Sequence, residues 1–191
     1  MSASLKFAHI SDTHIRPDAI DRSQVFIDHL AEIQAGDYDF IIHTGDIMDE
    51  PSAWAARAFR AITSQVQMPI YLVPGNHDVY NPHMGGLEAP WWARLAVDSD
   101  LETQYRSWFG PTWHTFVCQG AHFVALDSLL INSGLPEEKA QWAWLEETLA
   151  DIAARQPQGV FMFTHLPLFI RQPYERLEPT DFRNRYLLTA P

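Results

Sequence analysis

Three short apolar runs, each broken at its C-terminal end by carboxylate, imidazole or amide side chains, restrict this chain to very few folds. Residues 5–10 lead into Asp12 and His14, residues 40–43 into Gly45, Asp46 and Asp49, and residues 69–73 into Pro74, Gly75, Asn76, His77 and Asp78. Runs of this length ended by Gly, Pro or Asp read as buried strands. Residues 21–34 separate the first two and carry Val25, Phe26, Leu30 and Ile33 at helical spacing, with Gly36 as a stop. Before the third run, Ser52 can cap a helix bearing Trp54, Ala58, Phe59 and Ile62. Asp12 and Asp46 stand 34 positions apart and Asp46 and Asn76 stand 30 apart, each about one βαβ unit. Parallel strands with right-handed crossovers then bring the three clusters to one edge, where α/β sheets bind ligands. Taken alone, the run at Asn76 reads equally well as an Asx turn before a loop; the recurrence is what argues for chemistry.

The rest of the chain reads less evenly. Residues 79–112 are expected to form a loop excursion with one or two short helices, including an amphipathic piece at 101–109. It reads as an insertion packing its own aromatics, or as a rim from which Tyr80, His83 or Trp91 touches substrate. Residues 113–118 and 121–126 form a hairpin around Gln119 and Gly120. The strongest helix covers 136–154, with Pro136 near its start, Glu137 and Glu138 in the first turn, and Trp142, Leu145, Leu149 and Ile152 on one stripe. A buried strand at 160–164 ends at His165, a fourth candidate ligand at a fourth strand exit. A Pro-punctuated stretch at 171–179 precedes a further helix near Asp181.

Composition excludes several functions. The chain has 191 residues, 47% of them apolar, enough for one domain with a sizeable core. A net charge of −11 leaves no basic face for an extended nucleic-acid backbone. Cys118 is the only cysteine, so neither an intrachain disulfide nor a Cys-rich zinc site is available. No run matches a signal peptide or a spanning helix, and a soluble, cytoplasmic protein is expected.

Asp12, His14, Asp46, Asn76 and His165 offer two carboxylates, two imidazoles and an amide oxygen. On an extended chain, the spacing of Asp12 and His14 puts both side chains on one side. Oxygen and nitrogen donors without thiolates suit an open catalytic site for Mn, Fe, Mg or Zn, with Mn and Fe favoured. Two such ions need a bridging carboxylate, and Asp46, from the central cluster, is the natural one. His77 adjoins Asn76 without being needed as a ligand and is assigned the proton for the leaving alkoxide, with Asp49 orienting its imidazole. His9 and His43 read as supporting or core groups, His122 as structural, Asp78 as a local hydrogen-bond acceptor and Arg16 as an exposed loop residue; His29 and His114 receive no role.

These residues also carry a resemblance. Asp12 and His14, Gly45 with Asp46 and Asp49, Gly75 to Asp78, and His165 resemble the first four motifs of the calcineurin-like metallophosphoesterases, in that family's order, over about residues 5–168. The resemblance implies a four-layer αββα sandwich, two sheets face to face with helices outside. It also implies hydrolysis of a phosphomonoester or phosphodiester by a hydroxide held at a dinuclear centre, and hence a small phosphorylated substrate. By motif, Asp12 and His14 serve the first ion, Asp46 both, and Asn76 and His165 the second, while His77 meets the leaving group with Asp49 behind it. Residues 10–14 and 123–128 resemble the branch that includes cyclic-nucleotide phosphodiesterases. The family's fifth motif, Gly-His-x-His, has no counterpart, because no Gly-His pair occurs. The chain is therefore expected to be a C-terminally truncated piece of a longer protein, with roughly 15–40 further residues carrying that motif. The alternative is a metal-deficient phosphoesterase scaffold acting as a protein-binding module.

Overall fold

A computed structural model describes residues 4–80 and 97–168. The elements run β1 (Phe7–Ile10), α1 (Ile20–Ala35), β2 (Phe40–His43), α2 (Ala53–Thr63), β3 (Ile70–Leu72), α3 (Asn76–Val79), α4 (Ser99–Phe109), β4 (His114–Cys118), β5 (Ala121–Ala125), α5 (Pro136–Arg155) and β6 (Gly159–Phe163). In the first sheet the strands lie in the order β1-β2-β3, all parallel, so β2 and its Asp46 are central. In the second, β4 and β5 form the antiparallel hairpin and β6 joins β5 in parallel.

Side chains alternate across each strand, and this sorts the layers. Phe40 and Ile42 of β2 turn to the second sheet, where they meet Ala121, Phe123 and Ala125 of β5. Ile41 turns the other way into the core that includes Phe26, Leu30 and Phe59 of α1 and α2. Val124 of β5 points outward onto Leu145 and Ile152 of α5. Helices thus cover both outer faces of two facing sheets. The seam between the sheets is aromatic: Phe40 of the first sheet meets Phe123 (4.9 Å) and Phe116 (5.1 Å) of the second, both edge to face. Such pairs add about 0.5–1.5 kcal/mol each beyond the area they bury.

The caps explain where helices begin. Ser52 Oγ accepts from Ala55 N–H at 3.2 Å, and Pro136 opens α5. The strand expected to be buried at 160–164 forms as β6 but, at the edge of its sheet among the described residues, leaves Val160 (48%), Phe161 (40%) and Met162 (41%) exposed. Three residues placed on buried helix stripes are exposed as well: Val25 at 52%, Trp54 at 45% and Leu149 at 41%. Each helix meets its sheet along a narrower line than the full apolar stripe; on α1 that line is Phe26 and Leu30, and on α5 it is Leu145 and Ile152. Within α4 Tyr105 packs on Phe109 at 5.0 Å, and the helix also sends Tyr105 into the same core as Ile41 and sets Phe109 against Phe59 at 5.6 Å. His83, Trp91, the 171–179 stretch and the helix expected near Asp181 lie outside the described residues. No helix among the described residues is long and apolar enough to cross a membrane.

Candidate metal centre

The site is built from backbone first. Beyond β1 and β2 the chain continues as two loops zipped in parallel: Asp12 N–H donates to Gly45 O, His14 N–H to Asp46 O and Ile15 N–H to Ile47 O, each at 2.9 Å. This pairing is made with Asp12, His14 and Asp46 in the left-handed region, at φ of 59°, 43° and 53°. The extended segment expected for Asp12 and His14 is therefore corrected; the inter-loop bonds hold both residues out of the strand conformation. Left-handed backbone disfavours a residue with a Cβ by about 1–2 kcal/mol, and such strain collects where side chains must be aimed.

The third loop lies directly against the second. A Cβ on Gly45 would strike the backbone of Gly75, and one on Gly75 would strike Asp46 N and Oδ1. Asp78, fully buried, fastens this contact by accepting from Gly75 N–H (2.9 Å), Ile47 N–H (3.2 Å) and Met48 N–H (2.9 Å). Burial pushes its carboxyl up to about 7, against the pull of those amides toward the ionised form. His43, buried beneath the loops, accepts Gly45 N–H at Nδ1 (3.2 Å), and its Nε2–H donates to Thr13 Oγ1 (3.1 Å). Burial drives its pKa down to about 3, so it stands there neutral. Asp78 and His43 thus hold the loops and face them, as supporting groups do.

On this frame the five candidate ligands converge. His14 Nε2 lies 3.6 Å from Asp46 Oδ2 and 3.8 Å from Asp12 Oδ1. His165 Nε2 lies 3.5 Å from Asp46 Oδ1 and 3.1 Å from Asn76 Oδ1. One carboxylate therefore turns one oxygen to each imidazole. The tautomer of His165 is fixed, because its Nδ1–H donates to Thr44 O at 2.8 Å. Nε2 of His165 then faces the amide oxygen of Asn76 and Oδ1 of Asp46, so that one nitrogen and two oxygens close on a single point. Nitrogen and oxygen ligands gathered in this way suit a cation. Thr44, whose carbonyl makes this arrangement, carries no signal in the sequence beyond its place beside Asp46.

His77 stands over the same centre. His14, Asp46 and His77 each offer a ligand atom, all within 4.8 Å of one another, and the His14 and His77 rings meet edge to face at 4.6 Å. His77 N–H donates to Asp46 Oδ1 at 2.9 Å, and its Nδ1–H donates to the main-chain oxygen of Asp49 at 2.7 Å. Here the sequence expectation is corrected: Asp49 orients His77 with its carbonyl. The Asp49 carboxylate lies instead 3.3 Å from His14 Nδ1 and 3.0 Å from Arg16 Nη1. The turn after Asp46 carries the main chain under His77 and projects the side chain back toward the first loop. Tyr80 sets its ring 5.3 Å from His77, at the rim.

The sequence pattern of calcineurin-like phosphoesterases matches residues 5–189, nearly the whole chain. The chain belongs to that family. Among its relatives, the serine/threonine-protein phosphatase CPPED1 of Homo sapiens is 31% identical over 117 residues, 60% of this chain and 32% of the human protein. The 3′,5′-cyclic adenosine monophosphate phosphodiesterase CpdA of Escherichia coli K12 is 24% identical over 177 residues, 87% of this chain and 57% of that enzyme. The chain thus spans from about a third to a little over half the length of these curated relatives. Of solved structures, a dimetal phosphatase from Danio rerio superposes with a TM-score of 0.57 at 15% identity, covering 86% of this chain and 70% of that one. A purple acid phosphatase from yellow lupin gives 0.56 at 16% identity, covering 88% and 31%. Both share the metallophosphoesterase fold described above.

Proposed function

We propose that this calcineurin-like phosphoesterase hydrolyses a phosphomonoester or phosphodiester at a centre of two divalent ions, with Mn or Fe the favoured metals. The observation that carries the reading is the convergence of imidazole nitrogens and amide and carboxylate oxygens on the two oxygens of Asp46. Asp12, His14 and Asp46 would hold one ion, and Asp46, Asn76 and His165 the other. Bound there, the ions supply Lewis acidity toward the phosphoryl oxygens and an activated water.

The chain's own side chains supply the rest. His77, with Nδ1–H committed to Asp49 O, keeps Nε2 free, and it is as the imidazolium, carrying a second proton on Nε2, that it would give that proton to the leaving oxygen and become the neutral Nδ1–H form. Its backbone amide holds Asp46 Oδ1, so the proton donor and the bridging carboxylate are positioned by one residue. Small phosphorylated compounds are the substrate class that the family supports, and Tyr80, with its ring 5.3 Å from His77, would be the rim residue to meet the ester group.

The experiment is release of p-nitrophenol from its mono- and bis-phosphate esters with added Mn²⁺. His77→Ala should lower kcat by about 10²–10⁴-fold, the usual worth of general acid–base catalysis. Equal turnover by wild type and His77→Ala would overturn the reading.

A further inference from the structure

Thr13 stands between Asp12 and His14, and its hydroxyl is held from two sides. Its Oγ1 lies 3.1 Å from His43 Nε2 and 3.1 Å from Ile47 O. The direction of each bond follows from groups that act in one way alone. Gly45 N–H donates to His43 Nδ1, so the proton of the neutral ring sits on Nε2. Ile47 O can only accept, so Thr13 O–H donates to it and Oγ1 accepts from His43 Nε2–H. The chain therefore runs from Gly45 N–H to His43, from His43 to Thr13 and from Thr13 to Ile47 O.

Both ends of this chain are firm. His43 is fully buried, and its ring meets Phe26 at 6.4 Å and Phe59 at 5.8 Å, both edge to face. A ring packed in this way cannot turn without moving its neighbours, so its Nε2–H is a fixed point beneath the first loop. At the other end, Ile47 takes Ile15 N–H on its carbonyl and gives its own N–H to Asp78. One hydroxyl thus fastens the first loop both to the floor of the site and to the second loop.

The residues on either side need that fastening. Asp12 and His14 are left-handed, at φ of 59° and 43°. Residues with a Cβ hold that conformation only where their surroundings over-determine it. If it relaxed, the Cα–Cβ bonds of both would swing, and the 3.8 Å approach of Asp12 Oδ1 to His14 Nε2 would be lost.

We infer that Thr13, aimed by His43, is a positioning residue that sets Asp12 and His14 as donors to the first metal position by pinning the peptide units on either side of itself. The second position does not depend on it. There His165 is fixed by the main-chain oxygen of Thr44, and Asn76 rides on the loop that Asp78 holds through Gly75 N–H. Groups that orient metal ligands from behind are typically worth 10–100-fold in affinity.

This inference rests on the metal-centre reading, and the experiments separate the two. Thr13→Val removes the hydroxyl and keeps the branched shape, whereas Thr13→Ser keeps a hydroxyl for His43 and Ile47 O to hold. The first measurement is amide hydrogen exchange by NMR in the metal-free protein. The amides of Asp12 and His14, bonded to Gly45 O and Asp46 O, should lose protection in Thr13→Val and keep it in Thr13→Ser, with α5 unchanged in both. The second is Mn²⁺ affinity by chelator competition in two backgrounds. In His165→Ala, which keeps all three side chains of the first position, Thr13→Val should weaken binding about tenfold, and Thr13→Ser should restore it. In Asp12→Asn, which keeps the second position, Thr13→Val should change nothing. Equal weakening in both backgrounds, or protection lost throughout the chain, would mean general loosening and would overturn the inference. Wild-type protection and affinity in Thr13→Val would overturn it as well. If the valine variant does not fold, Thr13→Ala gives the same comparison. Absence of Mn²⁺ binding by the wild type would sink the metal-centre reading and this one with it, whereas two-site binding indifferent to Thr13 sinks this one alone.

Discussion

Asp46 gives Oδ2 to His14 and Oδ1 to His165, whereas Asp12 approaches a single imidazole among the described residues, that of His14, so the two carboxylates are not equivalent. Asp46→Asn should therefore strip metal from both positions, and Asp12→Asn from one, a difference that elemental analysis of purified variants reads directly. The same measurement places His77. As a proton donor it can be removed with the metals retained; as a ligand, which its closeness to His14 and Asp46 permits, it cannot. Retention in His77→Ala together with a fall in kcat is the expected result, and loss of metal would reassign the residue. All five proposed ligands were legible in the sequence, because each follows a strand that announces itself by apolar content. What their donors touch on the far side was not. Whether His77 is held by a carbonyl or a carboxylate, and which histidine Asp49 serves, depends on how a turn of a few residues folds back, and spacing along the chain does not encode that.

At the scale of elements, the strands and helices were readable wherever one face must be buried, and their ends wherever a cap or breaker stands, as at Ser52 and Pro136. The misplacements at Val25, Trp54 and Leu149 share a cause: amphipathic spacing defines a stripe, but the width of that stripe in contact is set by the partner. Likewise the left-handed conformations of Asp12, His14 and Asp46 arise from loops bonding to each other, a non-local condition. Only the glycines hinted at it. Gly75 lies so close to the Asp46 loop that no methyl group fits, and its own N–H is bound by Asp78. Gly75→Ala must push the third loop off the second, and it should destabilise the fold by about 2 kcal/mol, typical of forcing an extra carbon into a packed contact. The loss should appear as a lower urea midpoint by circular dichroism. Because Asn76 and His77 ride on that loop, metal affinity should fall too. A variant with unchanged midpoint would mean that the loops are not in this contact.

At the scale of the whole molecule, α4 is tied to the second sheet by two acids that both lie fully buried, Glu102 on the helix and Asp127 just past β5. One oxygen of each is engaged: Glu102 Oε2 by Arg106 at 3.4 Å, and Asp127 Oδ1 by Leu129 N–H at 3.0 Å. Glu102 Oε1 and Asp127 Oδ2 are left without a hydrogen-bond partner among the described residues, and the two carboxyls act directly on each other. Two buried carboxylates beside one guanidinium leave an uncompensated negative charge, so the pair holds a proton. Asp127 is the member that keeps it, its carboxyl pushed well above the usual range first by burial and then by Glu102. The sign of the consequence is fixed. A carboxyl that holds its proton more tightly when folded binds more protons in the native than in the unfolded state. Stability is then full below the ordinary carboxyl range and declines as pH rises toward the elevated pKa, at up to about 1.4 kcal/mol per pH unit. Asp78 contributes a slope of the same sign up to about 7, and His43, held down near 3 by burial, one of opposite sign below the ordinary imidazole range. Both are retained in Asp127→Asn, whose carboxamide donates to Glu102 without needing a proton, so the difference between variant and wild type isolates the pair. Urea unfolding from pH 5 to 9 should show wild type losing stability toward the alkaline end faster than Asp127→Asn. Parallel curves would show that the two acids titrate alike in the folded and unfolded chain and that no proton is shared.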